Sequence, residues 1–172
     1  MRAKRKRFGR RALLSDVGML EPWHPDLPKV TSPMKALRRV MDLWKDRKFD
    51  SLALYVQPSW CLVQAGMVKA GSTGGLWLHD VIEAKLQSFL GQYSFDMYSV
   101  CKVRKGPLPN QRRMMVMLSG IKFQTARRGQ IAGDVDLFVI VNMTYELGGW
   151  YFYPASALRL IRTPSWTVIK PK

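Results

Sequence analysis

The chain has 172 residues, of which 47% are hydrophobic and 23% charged, and its formal charge is +16. This composition excludes a disordered chain and predicts one globular domain, and no apolar stretch approaches the roughly 20 residues that a membrane-spanning helix needs. The basic surplus favours nucleic acid, anionic lipid or an acidic protein surface as partner, with a solvated basic surface as the alternative.

The N-terminus is an uninterrupted basic run, because the first eleven residues contain seven Lys or Arg and no acid. Clustered like charges are costly to bury, so this run needs water or a polyanion beside it. We expect a flexible anchor that binds nucleic acid or another polyanion, with solubility as the alternative role. Its expected contact residues are Arg2, Lys4, Arg5, Lys6, Arg7, Arg10 and Arg11.

A proline-rich segment follows the basic run, with four prolines between Met19 and Pro33. Proline at this density disfavours helix and sheet and predicts an extended strap. We therefore assign residues 1–30 to a basic arm and strap, 31–163 to a folded domain, and 164–172 to a short basic tail.

Targeting and redox signals are sparse. The basic start lacks the apolar core of a secretory signal, because residues 12–14 are followed at once by Ser15 and Asp16. An organellar presequence remains an alternative, since the start is rich in Arg and poor in acids. Cys61 and Cys101 are isolated and lack metal-ligand spacing, so we expect a reducing compartment: cytoplasm, virion or mitochondrion.

Helical periodicity dominates the first half of the domain. Ser32 and Pro33 form a helix start, and apolar residues then recur on one face as far as Trp44. The expected elements are a helix over 33–44, a short helix over 50–56, a short strand over 60–68, a glycine-rich loop over 70–75 and a helix over 78–90.

After Gly91 the pattern changes to the alternation of β-strands. The expected strands lie at 93–104, 112–125, 135–145 and 150–161, with hairpin turns at 106–110, 127–129 and 148–149 and a bend at Pro154. In the first strand, alternation places four residues on one face: Tyr98, Val100, Lys102 and Arg104. The second is apolar on both faces, which favours a sheet covered on both sides, in an oligomer or a larger complex.

Helices followed by hairpin-linked strands predict an α+β fold, in which helices pack on a curved antiparallel sheet of about four long strands. This order resembles the nuclear transport factor two-like superfamily, whose cystatin-like domains are cone-shaped. The resemblance is one of topology and covers about residues 32–162. The segments on which it rests are 34–44, Phe49-Asp50, 52–58, Arg127-Arg128-Gly129 and Gly149-Trp150-Tyr151-Phe152.

The resemblance implies a pocket between the sheet and the helices, which in some members serves enzymes of the ketosteroid isomerase or dehydratase kind. Such chemistry needs a titratable group in apolar surroundings. The candidates are His79, Asp96 and Tyr98, followed by Tyr55, Asp134 and Asp136. Capping or solvent exposure is the simpler interpretation of these residues, because spacing pairs no base with an orienting partner. We predict no cofactor and no metal site.

Basic residues at the strand ends are better candidates for a binding site. They are Arg104, Lys105, Arg112, Arg113, Arg127 and Arg128. Arginine carries planar donors that match phosphate oxygens, and strand ends present such side chains in clusters. The expected contact is therefore led by phosphate groups and sensitive to salt.

The sequence thus predicts a non-catalytic interaction protein that anchors through its arm into a nucleic-acid-rich or acidic assembly, such as a ribosome-like particle, a virion or a secretion complex. Other subunits of that assembly, or a second copy of the chain, are further expected partners. The alternative is a small-molecule enzyme or binder. The enzyme would need an open cone with a buried acid, whereas the assembly protein would have a cone filled with Met and aromatic side chains.

Overall fold

The computed structural model describes residues 27–67, 78–124 and 137–162. The predicted basic run, glycine-rich loop, 127–129 hairpin and basic tail lie outside these ranges. The helices are α1 Pro33–Lys45, α2 Phe49–Ala53, α3 Pro58–Met67 and α4 Leu78–Leu90. The strands are β1 Tyr93–Ser94, β2 Met97–Lys105, β3 Gln111–Ser119, β4 Lys122–Phe123, β5 Leu137–Glu146, β6 Gly149–Tyr153 and β7 Leu160–Ile161, with a 3₁₀ helix at Pro154–Leu158.

The main sheet is antiparallel and has five strands in the order β2-β3-β5-β6, with β7 also paired to β5. β6 and β7 share one edge of β5 and are separated by the 3₁₀ helix that begins at Pro154. The predicted α+β fold, with helices on a curved antiparallel sheet, is therefore confirmed. None of the described helices has the length and apolarity to cross a membrane.

Helix α1 has defined ends, and its C-terminus is tied to that of α4. The Ser32 hydroxyl accepts a hydrogen bond from the backbone N–H of Lys35 at 3.4 Å, as an N-cap does. At the other end, Trp44 Nε1 donates to the Leu90 carbonyl at 3.0 Å. Arg47 adds a longer bond to the Gly91 carbonyl at 3.4 Å. These two donors satisfy carbonyls that the end of α4 would leave unpaired.

The expected strand over 60–68 was wrong, because residues 58–67 form helix α3. Helix formation is favoured by Pro58 at the first helical position and by the Glu146 carboxylate, which accepts from the Ser59 N–H at 3.1 Å. The ring of Trp60 packs on Phe89 of α4 at 6.5 Å between centroids. Tertiary packing and a distant cap therefore outweigh the local β-propensity of this apolar run.

The hairpin that begins at Tyr93 bends sharply at Asp96 and Gly120. Phe95, before the bend, is 3% exposed, whereas Met97, after it, is 67% exposed. Gly120 has φ +69°, and a Cβ there would collide with the Asp96 carboxylate. Only glycine fits this position without strain.

A β-bulge between Val100 and Lys102 changes which face β2 presents. Tyr98 and Val100 pair with inward-facing residues of β3, whereas Lys102 pairs with Met115 and Arg104 with Arg113 on the opposite face. The expectation that Tyr98, Val100, Lys102 and Arg104 share one face was therefore wrong. An extra residue in one strand shifts the alternation of side chains by one position.

The inner face of the sheet packs against the helices and forms the core. Its central residues on β3, β5 and β6 are Met114, Val116, Val141, Met143 and Phe152, all fully buried. From the helical side they meet Leu37, Met41, Trp44, Ile82 and Leu86. Removal of this apolar surface from water is the main stabilising contribution to the fold.

The segment before α1 packs on the same body. Leu27 belongs to the core, and the Val30 carbonyl accepts from the Trp150 N–H at 2.9 Å. A Cβ at Gly149 would lie 3.0 Å from the Lys29 Cα, so glycine allows the two backbones to approach. The turn that leads into β6 is Leu147-Gly148, with φ values of 48° and 83°, one residue earlier than expected.

Candidate functional site

The outer face of the main sheet carries Gln111, Arg113, Met115 and Met117 of β3 together with their cross-strand partners. Unlike the inner face, it is rich in polar groups. Three cations gather on it near the end of the β2–β3 hairpin, and we call them the outer cationic cluster: Lys102, Arg104 and Arg113.

Two members of the cluster are direct cross-strand partners, because Arg104 lies opposite Arg113 in the β2–β3 register. Like charges directly opposite each other in a sheet repel. Arg113 is oriented by Asn142, whose Oδ1 accepts from Arg113 Nε at 3.4 Å. An anion bound between the two arginines would relieve the repulsion.

A cavity of about 250 Å³ opens beside this cluster. Its lining residues come from the β2–β3 turn, the outer face of β3, β5 and β6, and the residue before α3: Gln57, Gly106, Pro107, Gln111, Arg113, Asn142, Thr144 and Tyr153. Six of these eight residues have polar side chains, and Arg113 is the charged one among them. The cavity can therefore accept an anionic or hydrogen-bonding ligand rather than a purely apolar one.

Backbone contacts hold the walls of the cavity in place. The turn is closed by the Gly106 N–H, which donates to the Gln111 carbonyl at 3.0 Å. On the opposite side, Ser156 links the two strands: its Oγ accepts from the Asn142 N–H at 2.9 Å and donates to the Tyr153 carbonyl at 2.7 Å. These bonds fix the backbone of both Asn142 and Tyr153, so the site is built on rigid elements.

The acid on this face, within the described strands, is Glu146, and its charge is compensated. Its carboxylate accepts from Gln57 Nε2 at 2.6 Å, from Ser59 Oγ at 2.6 Å and from the Ser59 N–H at 3.1 Å. It also lies at the N-terminus of α3, where the helix dipole favours negative charge. Glu146 therefore acts as the cap of α3.

Burial controls the ionisation of two groups near Glu146. Desolvation, and then the negative charge of Glu146, raise the pKa of the buried Cys61 thiol. The same two causes, in that order, raise the pKa of Tyr151. A thiol that stays protonated is a poor nucleophile, so Cys61 serves as a core residue. Cys101 is exposed, and neither cysteine is in a disulfide.

The predicted basic residues of the β2–β3 hairpin separate into two sets. Arg104 and Arg113 meet on the outer face, whereas Lys105 and Arg112 are cross-strand partners on the other face. Arg112 is engaged there, with its Cζ 5.4 Å from the Trp150 ring centroid and a bond from Nη1 to a turn carbonyl. The remaining predicted contacts, Arg127, Arg128 and those of the basic arm, lie outside the described residues.

The polar lining of the cavity was missed in the sequence. On β5, Asn142 and Thr144 alternate with the core residues Val141 and Met143. Polar residues in alternation with a buried apolar row mark the opposite face of a strand, so the pattern could have identified them. Tyr153 reaches the cavity because β6 places it opposite Asn142. Gln57 reaches it through the parallel pairing of Val56 with Phe152, which spacing does not reveal.

The candidate catalytic residues do not assemble into a site. Asp96 is exposed and forms an ion pair with Lys122 at 3.6 Å. The Tyr98 hydroxyl donates to Asp42 Oδ1 at 2.8 Å, and burial, followed by this contact, raises the pKa of Tyr98 to about 12. His79 lies on α4, and within the described ranges no hydrogen bond or ion pair joins it to either residue.

The remaining candidate catalytic residues are Tyr55, Asp134 and Asp136. Tyr55 is half-buried and supplies a backbone carbonyl to β6, while Asp134 and Asp136 lie outside the described residues. The described ranges contain no group of three side chains that could hold a metal ion.

No known protein family matches the chain, and no curated protein shows significant similarity to it. The outer cationic cluster and its cavity are therefore the features from which a function can be argued.

Proposed function

We propose that this protein is a non-catalytic subunit of a nucleic-acid-rich or acidic assembly, and that it binds phosphate groups through the outer cationic cluster. The basic arm would add a flexible second anchor. The observation that carries the proposal is the direct pairing of Arg104 with Arg113, beside Lys102, on a face whose described acid is compensated. Cations grouped at one strand end can contact neighbouring phosphates of a polyanion, and the planar donors of arginine match phosphate oxygens.

The side chains packed between the helices and the inner face of the sheet favour an interaction protein over an enzyme. The space between the helices and the inner sheet face holds Met41, Trp44, Met114, Met143 and Phe152, each at most 1% exposed. These buried side chains occupy part of the region in which a cone enzyme would need an open pocket and a buried acid. The one described tyrosine–acid pair facing the helices, Tyr98 with Asp42, joins β2 to α1 at the surface.

The nuclear transport factor two-like resemblance remains part of the proposal. It is supported by a long N-terminal helix that precedes a bent hairpin and a curved antiparallel sheet. The assembly could be a ribosome-like particle, a virion or a secretion complex, and two free cysteines suit an intracellular reducing compartment.

Titration of the full-length chain with a short RNA at several salt concentrations tests the proposal. The variant replaces Lys102, Arg104 and Arg113 with Ala, and a matched control replaces Lys35, Arg39 and Lys45, which are exposed on α1. We expect the first variant to bind at least tenfold more weakly, with a salt slope reduced by about 2, and the control to change little.

Two results would overturn the proposal. Equal losses in the two triple variants would show that net charge alone governs binding. A full-length chain that binds neither RNA nor DNA at low salt would remove the polyanion as partner. A third variant, which lacks residues 1–20, measures how much the arm contributes to the binding free energy. This contribution should add to that of the outer cationic cluster.

A further inference from the structure

A more specific inference concerns the ligand of the cavity beside the outer cationic cluster, and it rests on the proposed function. We infer that it receives one unpaired nucleotide of a single-stranded nucleic acid, with the base stacked on Tyr153 and the flanking phosphates on the cluster. The residues that carry it are Tyr153, Asn142, Gln57 and Arg113.

Size favours a single base over a larger ligand. The cavity measures about 250 Å³, whereas sites for drug-sized molecules occupy roughly 300–1,000 Å³. A base can enter such a space only when it is splayed out of a strand, since a paired base is held within its duplex. A duplex could contact the cluster through its phosphates but could not fill the cavity.

Tyr153 provides a stacking surface at the cavity. Its side chain lines the cavity, yet 36% of the residue is exposed. A partly exposed aromatic ring can offer a base a flat apolar partner, and stacking of this kind tolerates any base. An acidic peptide or a free phosphate would gain little from such a ring.

The amide groups in the wall offer a donor and an acceptor to a base edge. Asn142 Oδ1 accepts from Arg113, so the Asn142 NH₂ group remains as a donor. Gln57 Nε2 donates to Glu146 and to Ser59, so the Gln57 side-chain carbonyl remains as an acceptor. In this arrangement each amide has one group bonded within the protein and the other available to a ligand. Every base carries both donors and acceptors on its Watson–Crick edge, so this pair can contact any of them.

The phosphates of the strand would lie next to the base. Arg113 both lines the cavity and belongs to the outer cationic cluster, and Arg104 is its cross-strand partner. A nucleotide whose base occupies the cavity therefore places its own or its neighbour's phosphate within reach of a guanidinium group. The cluster supplies affinity, while the cavity selects single strands over duplexes.

The test compares a single-stranded RNA oligonucleotide with a duplex of the same sequence, using fluorescence anisotropy on the full-length chain at fixed salt. We expect Tyr153→Ala to weaken single-strand binding about tenfold and to leave duplex binding unchanged, whereas Tyr153→Phe keeps the ring and the affinity. Tyr145→Ala is the matched control, since Tyr145 is an exposed tyrosine on the opposite face, 42% accessible.

A crosslink gives an independent readout that does not depend on the stability of a variant. An oligonucleotide with 5-iodouridine at one position is irradiated on the wild-type chain, and the crosslinked peptide is identified by mass spectrometry. We expect the crosslink at Tyr153. A crosslink that maps only elsewhere would overturn the inference.

The failure of this inference is distinct from the failure of the proposed function. If Tyr153→Ala leaves single-strand affinity unchanged, or weakens duplex binding equally, while the triple cationic variant still loses affinity, the cavity does not bind a base but the phosphate contact stands. If the wild-type chain binds neither form of RNA, both proposals fail.

Discussion

The two faces of the main sheet are built from the same strands but have opposite chemistry. On β6, Phe152 points inward and is fully buried, whereas its neighbour Tyr153 points outward and lines the cavity. On β5, Val141 faces the helices and Asn142 faces the outer cationic cluster. The inner face therefore accounts for stability, and the outer face holds the polar groups from which a binding role is inferred.

Two tyrosine hydroxyls, one on each face of the sheet, also differ in their hydrogen bonding. On the inner side, the Tyr98 hydroxyl is paired with Asp42 at 2.8 Å. On the outer side, Tyr151 is fully buried, and among the described residues its hydroxyl has no hydrogen-bond partner. A buried polar group without a partner loses its contact with water and gains nothing in return. Within the described residues, the inner hydroxyl is thus paired and the outer hydroxyl is not.

The largest expected difference between the faces concerns stability. Phe152→Ala should lower the free energy of unfolding by about 3–5 kcal/mol, because it leaves a cavity among fully buried neighbours. Tyr153→Ala, one residue away, should cost less than about 1 kcal/mol, since its ring is partly in solvent. Urea denaturation of both variants measures this difference, and similar losses would show that the two faces contribute alike.

A smaller effect is expected for the paired inner hydroxyl. Tyr98→Phe removes a hydrogen bond to a carboxylate and should cost about 1 kcal/mol, less than a fully buried charged pair because the site is partly exposed. Tyr145→Phe is the control, as its exposed hydroxyl donates to no described group. A loss in the control as large as in Tyr98→Phe would contradict an effect specific to Asp42.

The stabilisation by Tyr98 should also depend on pH. Its pKa is raised to about 12 in the folded chain, above the value of about 10 for a free tyrosine. The folded state thus favours the protonated phenol, so the contribution is complete below about pH 10 and is lost as the pH rises toward 12. Denaturation of wild type and Tyr98→Phe across this range should show the difference between them shrinking, and a constant difference would refute the assignment.

Much of the fold could be predicted from residue patterns, because its elements obey local rules. Ser32-Pro33 begins α1, Gly91 follows the end of α4, and Pro154 interrupts the last long strand as expected. Two features could not be predicted. The helix at Pro58–Met67 depends on a cap from Glu146, a residue far along the chain. The bulge near Cys101 depends on cross-strand pairing.

That bulge also explains why the site was only partly predicted. Strict alternation keeps Lys102 and Arg104 on the face of Tyr98, which is the inner face. The extra residue transfers both cations to the outer face, next to Arg113 and the cavity. Composition and spacing identified the basic residues, but the choice of face is a tertiary property.

The smallest expected effect is that of removing the Tyr151 hydroxyl. The informative result is whether the free energy of unfolding rises or falls. Tyr151→Phe should leave stability unchanged or raise it by up to about 1 kcal/mol, because it removes a buried hydroxyl that has no hydrogen-bond partner among the described residues. The same substitution at Tyr98 should destabilise, so the two variants form a matched pair measured in one denaturation series. A clear loss of stability in Tyr151→Phe would show that its hydroxyl is satisfied in the folded chain.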